Sequence, residues 1–277
     1  MPQELRKRHR GHARPLKHLD ERFDWYAEAI EMEPADCKGR WAQAHLPGAS
    51  EVRLDLGCGK GIFAVAQAKR SPDVLFVGLD YERPCIARAA QLALEEGTGN
   101  AIFTPADAED LRDLFGEGEL SRIYLNFPTP HPRKKHARER LTYVDELVKY
   151  RDVLADDGVV EFRTDSPMFY EFSLAQFRLA GYDFLLTTED LRAEEPGQPE
   201  TEYEERLVAR GAKVHAIRAV KANREPCLEQ TEPLSLYEYL PEDLDTLDYV
   251  PYGMEGGVEN LRNYRAKQKA KEGKPLP

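Results

Sequence analysis

From residue 52 onward, short apolar runs alternate with stretches of helical periodicity, and this alternation constrains the fold more than any other feature. Residues 52–56, 74–79, 101–104, 122–127 and 159–164 read as strands, and residues 62–69, 84–94, 108–115, 138–154 and 167–180 as helices. Strands interleaved with helices in this way build βαβ units, and βαβ units close a mostly parallel sheet. Two later runs, 182–187 and 214–220, lack a helical pattern between them. Their connection, 188–200, is acidic and carries Pro196, Gly197 and Pro199, so it reads as a loop and the pair as an antiparallel end. The expected fold is α/β: a seven-stranded, mostly parallel sheet with helices on both faces and an antiparallel last strand.

The flanks differ from this body. Residues 19–33 place Phe23, Tyr26, Ala27 and Ile30 at helical spacing before Pro34. After residue 220 the periodicity weakens, with a short helix expected near 258–271. The organisation expected is a basic flexible arm at 1–18, a main domain at 19–221 and an appended segment at 222–277. The net charge of −11 argues against a polyanionic partner only if it is evenly spread. It is not: residues 1–18 carry +5, residues 133–140 +4 and residues 261–277 +5, leaving −25 for the rest. Concentrated basic segments on an acidic body grip a polyanion locally. No run of about 18 apolar residues points to a membrane span, and the basic N-terminus lacks the apolar core of a signal peptide. Cys37, Cys58, Cys85 and Cys227 form no close pair. Neither a disulfide framework nor a CxxC metal site is therefore expected, no metal is assigned, and a reducing cytoplasm fits.

The first strand runs through Asp55 into Gly57-Cys58-Gly59-Lys60-Gly61 and then a helix. Glycines there allow a sharp turn and close approach of backbone to ligand. The spacing is G-x-G-x-G rather than the G-x-G-x-x-G of dinucleotide folds. Asp80 ends the second strand, placed to accept both hydrogen bonds of a ribose diol, and Asp107 follows the third, within reach of an adenine edge. Three acids at successive strand ends converge at the carboxyl edge of such a sheet. Acids are unwelcome beside a pyrophosphate, whereas an adenosyl ligand with a cationic amino acid tail suits them. S-adenosylmethionine is that ligand.

The fourth strand leads into Asn126-Phe127-Pro128-Thr129-Pro130-His131-Pro132 and then a run holding Arg133, Lys134, Lys135, Arg138 and Arg140. The prolines stiffen the loop, and the cations after it suit a phosphate-rich substrate. Further on, Asp165 ends the fifth strand, and Thr201-Glu202-Tyr203-Glu204 opens the last strand region. Carboxylates such as Asp165 and Glu204 can accept from N1–H and N2–H of guanine, which would expose N7.

Together these pieces resemble the bacterial tRNA (guanine-N7)-methyltransferase family. They comprise residues 34–41 (PADCKGRW), 54–61, Gly78-Leu79-Asp80, Tyr124 to Pro128 with the basic run, Arg163-Thr164-Asp165, and Thr201 to Glu204. The similarity covers residues 6–221. It implies the Rossmann-like class I methyltransferase fold, S-adenosylmethionine as donor and a variable-loop guanine of tRNA as acceptor. Residue by residue, it implies that Asp55, Asp80 and Asp107 hold the cofactor with Gly57, Gly59, Gly61 and Asn126. It also implies that Arg133, Asp165, Thr201, Glu202, Tyr203 and Glu204 contact substrate.

The departures are specific. Asp55 and Asp80 replace the family's usual Glu, Arg133 its Lys and His131 its Trp, and Glu139 interrupts the basic run. Thr129 occupies the catalytic position, where the family has Asp. Two other readings follow: a methyltransferase of this fold with another acceptor, or a cofactor- and RNA-binding protein weakened in catalysis by Thr129. Whether the chain is a monomer or homodimer is left open.

Overall fold

The strands of the sheet form where the apolar runs lie, because a segment flanked by helices can be apolar on both faces. Residues 16–107, 111–247, 249–251 and 253–272 are described by the computed structural model, with side chains as far as residue 268. Most of the expected arm at 1–18, the start of the expected helix at 108–115 and the end of the basic tail lie outside the described residues. The chain forms two compact units, residues 1–110 and 111–277.

In the first unit, α1 (Leu19–Trp25) is followed by a 3-10 turn at Ala27–Ala29, so the helix expected over 19–33 stops early. Ile30 leaves the helix to bridge Phe103 in parallel, and the Glu31 amide donates to the Phe103 carbonyl at 2.9 Å. A 3-10 turn at Pro34–Cys37 and α2 (Trp41–His45) precede β1 (Glu51–Leu56), α3 (Ile62–Arg70), β2 (Val74–Leu79), α4 (Arg83–Glu95) and β3 (Ala101–Thr104). The strands are parallel in the order β3-β2-β1, with Asp55 paired to Gly78 and Leu79 to Thr104. Every residue of β2 is buried. Helix α4 starts with Pro84 in its first turn and buries Ile86, Ala87, Ala89, Ala90 and Ala93.

In the second unit, β4 (Leu120–Asn126) is followed by a 3-10 stretch at Lys134–Glu139, α5 (Val144–Val153), β5 (Leu154–Thr164), α6 (Pro167–Leu179), β6 (Tyr182–Thr188), α7 (Leu191–Glu194), α8 (Glu202–Val208) and β7 (His215–Lys221). Their order is β4-β5-β7-β6; β4 and β5 are parallel, and β7 is antiparallel to both of its neighbours. Three parallel strands and these four make the seven-stranded mixed set the sequence predicts. The helix expected over 138–154 starts six residues late, because residues 134–139 wind as 3-10 and Tyr143 is extended. The 188–200 connection contains α7. After β7 come 3-10 turns at Leu236–Tyr239 and Leu244–Thr246, then α9 (Glu255–Glu272), longer than the helix expected there. Leu236, Met254 and Val258 are buried, and the Cys227 and Leu236 amides donate to the carbonyls of Leu179 and Pro132.

Candidate functional site

Because β1, β2 and β3 are parallel, their carboxyl ends share one edge, and the first unit gathers Asp55, Gly57, Gly59, Gly61, Asp80 and Asp107 there. The three glycines have φ of 78°, 54° and 73°, the left-handed region that disfavours any Cβ. They divide the work. A Cβ on Gly57 or Gly59 would meet nothing within 4 Å, so those two present bare backbone outward; on Gly61 it would lie 2.6 Å from the Ala89 side chain. Gly61 thus lets α3 pack closely, while the first two shape the ligand-facing turn.

Asp80 holds that turn. One carboxylate oxygen accepts from the Gly59 amide at 2.9 Å and the other from the Glu82 amide at 2.8 Å. Each oxygen keeps a second lone pair, so the carboxylate is fixed by backbone and still able to accept twice. Burial pushes its pKa up, against the pull of the two amides. Asp55 is buried one residue before the end of β1, and Asp107 is exposed beyond β3. Bare glycine backbone beside an oriented carboxylate is a donor set that fits an adenosyl cofactor presenting a ribose diol.

The carboxyl ends of β4 and β5 likewise share an edge of the second unit. Asn126 ends β4. Phe127 follows with φ of 50°, its amide donating to the Arg163 carbonyl at 2.9 Å, and His131 has φ of 43°. Two non-glycine residues in left-handed conformation within five positions store strain of order 1–3 kcal/mol each, a mark of functional loops. Thr129 stands exposed between them, and Arg133, Lys134, Lys135 and Arg138 are exposed beyond. Phe127 meets the Tyr203 ring edge to face at 5.7 Å between centroids. Asp165, at the end of β5, accepts a 2.6 Å hydrogen bond from the Tyr249 hydroxyl; burial raises its pKa, and that bond opposes the rise.

Residues 49–217 match the family described as "Putative methyltransferase". The chain is 36% identical over 203 residues to the tRNA (guanine-N(7)-)-methyltransferase of Geobacillus kaustophilus, covering 72% of this chain and 92% of that protein. It is 35% identical over 215 residues to the enzyme of the same name from Limosilactobacillus reuteri, covering 77% and 98%. The chain belongs to the tRNA (guanine-N7)-methyltransferase family. Among solved structures, a 16S rRNA methyltransferase shares the fold at a TM-score of 0.52 and 19% identity, over 66% of this chain and 93% of that one.

Within this family member, some residues expected at the substrate are otherwise engaged. Arg140 is fully buried and faces no solvent. Its Nε donates to the Pro130 carbonyl at 2.9 Å and its Nη2 to those of His131 and Leu234, at 2.8 and 2.9 Å. The guanidinium also lies over the Phe172 ring at 4.3 Å. Burial lowers its pKa to about 10. Arg140 is therefore a clamp on the Pro-rich loop and not a phosphate contact, and only the four cations before it are exposed. Residues 201–204 do not begin a strand. Thr201 caps α8, its hydroxyl accepting from the Glu204 amide at 3.0 Å. Thr-x-x-Glu before an apolar helix is a helix-start signature legible in the sequence. The Glu204 carboxylate is buried and accepts from Arg192 at 3.2 Å, with Arg163 at 3.9 Å; burial raises its pKa against both cations. Tyr249 carried no sequence signal, since it lies where periodicity fades.

Proposed function

We infer that the chain methylates N7 of a guanine in the variable loop of tRNA, with S-adenosylmethionine as donor. One observation carries this beyond family membership: the exposed Thr129 sits in a strained, clamped Pro-rich loop that runs directly into four exposed cations. Residues 19–221 form the catalytic domain. Residues 222–277 are an appendage that supports the acceptor loop, and residues 1–18 add a basic arm. A tRNA substrate supports a cytoplasmic location.

Asp80 binds the ribose diol through its spare lone pairs, and Gly57 and Gly59 admit the ligand to the backbone. Asp55 balances the cationic amino acid tail, and Asp107 meets the adenine edge. The bound cofactor supplies a methyl group on a sulfonium centre. N7 of guanine is an unprotonated lone pair, so no side chain has to remove a proton. The chain's task is alignment, which alone supplies several kcal/mol. Arg133, Lys134, Lys135 and Arg138 hold phosphates by charge, and Asp165 accepts from the Watson–Crick edge. Tyr203 offers its ring beside Phe127, while Thr201, Glu202 and Glu204 position α8.

Thr129 supports a second reading. Methylation leaves the base cationic, and a carboxylate at this position would stabilise the charge as it develops. A neutral hydroxyl positions but does not neutralise, so the chain is either slow or turned to another acceptor. Incubation with S-adenosylmethionine and unmodified tRNA, followed by nucleoside analysis, decides. Label in N7-methylguanosine supports the first reading. Label in another nucleoside, or RNA binding without label, replaces it.

A further inference from the structure

The geometry points to a zinc site of the first unit, built from Cys37, His45 and Glu31. The three come from different local elements: Glu31 follows the Ile30 bridge to β3, Cys37 ends a 3-10 turn, and His45 ends α2. Their ligand atoms close a triangle. Cys37 Sγ lies 3.4 Å from Glu31 Oε2 and 3.6 Å from His45 Nε2, and His45 Nε2 lies 3.1 Å from Glu31 Oε2. Zinc binds sulfur at about 2.3 Å and nitrogen or oxygen at about 2.0–2.1 Å. At tetrahedral angles those bonds give sulfur–nitrogen and sulfur–oxygen edges of about 3.5 Å and a nitrogen–oxygen edge of about 3.3 Å. All three separations fall within about 0.2 Å of one tetrahedral face.

Each side of the triangle is also a hydrogen-bond or ion-pair contact, so the three ligand atoms already converge without an ion, and a shared cation would take the place of the bridging protons with little movement of the side chains. The surroundings suit one. Glu31 Oε1 accepts from the Glu33 amide at 2.8 Å, which fixes the carboxylate with Oε2 inward. The fully buried Trp41 lies against the His45 ring at 5.5 Å between centroids and sets its orientation. Cys37 is buried, and His45 and Glu31 are only partly exposed. A thiolate, an imidazole and a carboxylate are the borderline-soft set that zinc prefers, and their summed charge of −2 cancels the ion. Three protein ligands leave the fourth position to water.

Binding replaces a proton: the Cys37 S–H bond breaks, a sulfur–zinc bond forms, and the proton leaves to solvent. The ion would staple residues 31–45 ahead of β1, so its role is to hold that segment rather than to join methyl transfer. Sequence offered no sign of this, because the ligands sit six and eight residues apart in no metal motif.

The test uses the full-length protein, stripped with chelator and titrated with cobalt(II) as a spectroscopic stand-in, then with zinc. The expected result is one equivalent of cobalt with a thiolate-to-cobalt charge-transfer band and tetrahedral ligand-field bands, displaced by one equivalent of zinc. The Cys37 thiol should release about one proton per ion bound. Zinc should raise the thermal midpoint of the wild type but not of Cys37→Ala, with affinity in that variant reduced at least about 100-fold. Cys227→Ala, at an exposed thiol, should behave as wild type. No charge-transfer band in the wild type, a band that survives Cys37→Ala, or binding without proton release would each overturn the site. The wild-type titration decides even if Cys37→Ala does not fold.

Discussion

The Tyr249 hydroxyl donates a 2.6 Å hydrogen bond to the Asp165 carboxylate and so pins the C-terminal segment to the end of β5. A buried carboxylate deprived of this donor bears the cost itself. Tyr249→Phe should lower stability by about 1–3 kcal/mol, read from the midpoint of urea unfolding. The Asp165 pKa, already raised by burial, should rise further in the variant. An unchanged midpoint would mean that solvent replaces the hydroxyl at no cost.

Asp80 gives a pH signature to cofactor binding. Its folded pKa lies above the ordinary carboxylate value because of burial. The ionised form accepts from the diol, so affinity should be full above that pKa and fall as pH drops through it, at less acidic pH than for an ordinary aspartate. Asp80→Asn should flatten this dependence, and Asp80→Ala should weaken binding by about 1–3 kcal/mol. Calorimetric titration across pH measures both.

The exposed cations should dominate the salt dependence of tRNA binding. Lys134→Glu with Lys135→Glu should reduce the slope of log affinity against log salt by about two for the lost contacts, with cofactor affinity unchanged. Filter binding across a salt series reads the slope. Equal slopes in variant and wild type would remove these lysines from the phosphate path.

Arg140 should separate from its neighbours in the same experiments. Arg140→Met strips three carbonyl oxygens of a charged donor, and an instability of about 2–4 kcal/mol is expected. Its effect on tRNA affinity should track loss of folded protein rather than a change in salt slope. A slope reduced by one, at full stability, would return Arg140 to the phosphate contacts.

Thr129→Asp should speed single-turnover methyl transfer to guanine N7, by up to about 100-fold if one electrostatic contact is restored. The comparison is made at equal cofactor saturation. A faster wild type would show that the neutral hydroxyl is suited to its acceptor.

Legibility in the sequence followed how local the cause was. Residues 74–79 and 101–104 became strands with unchanged bounds, since burial on both faces leaves an uninterrupted apolar run. The glycines of 57–61 announced their left-handed turns because little else adopts them. Arg140 looked like one more phosphate-binding cation of the basic run, whereas one of its three carbonyl partners, Leu234, lies 94 positions away. Tyr249 and the Cys37–His45–Glu31 triangle were invisible for the same reason: contacts made by folding leave no period behind. Residues 201–204 are different, for the capping pattern was present, but the stretch was read as the opening of the strand region and not as the start of a short helix.

The anchoring of residues 222–268 has a practical consequence for anyone shortening the chain. Trimming after residue 221, near the end of the family match, would not yield a minimal enzyme. It would strip the Leu234 carbonyl from a buried guanidinium, leave the Asp165 carboxylate without its phenol, and expose the apolar surfaces that Leu236, Met254 and Val258 cover. Such a fragment would be prone to aggregate, and its inactivity would reveal more about solubility than about chemistry.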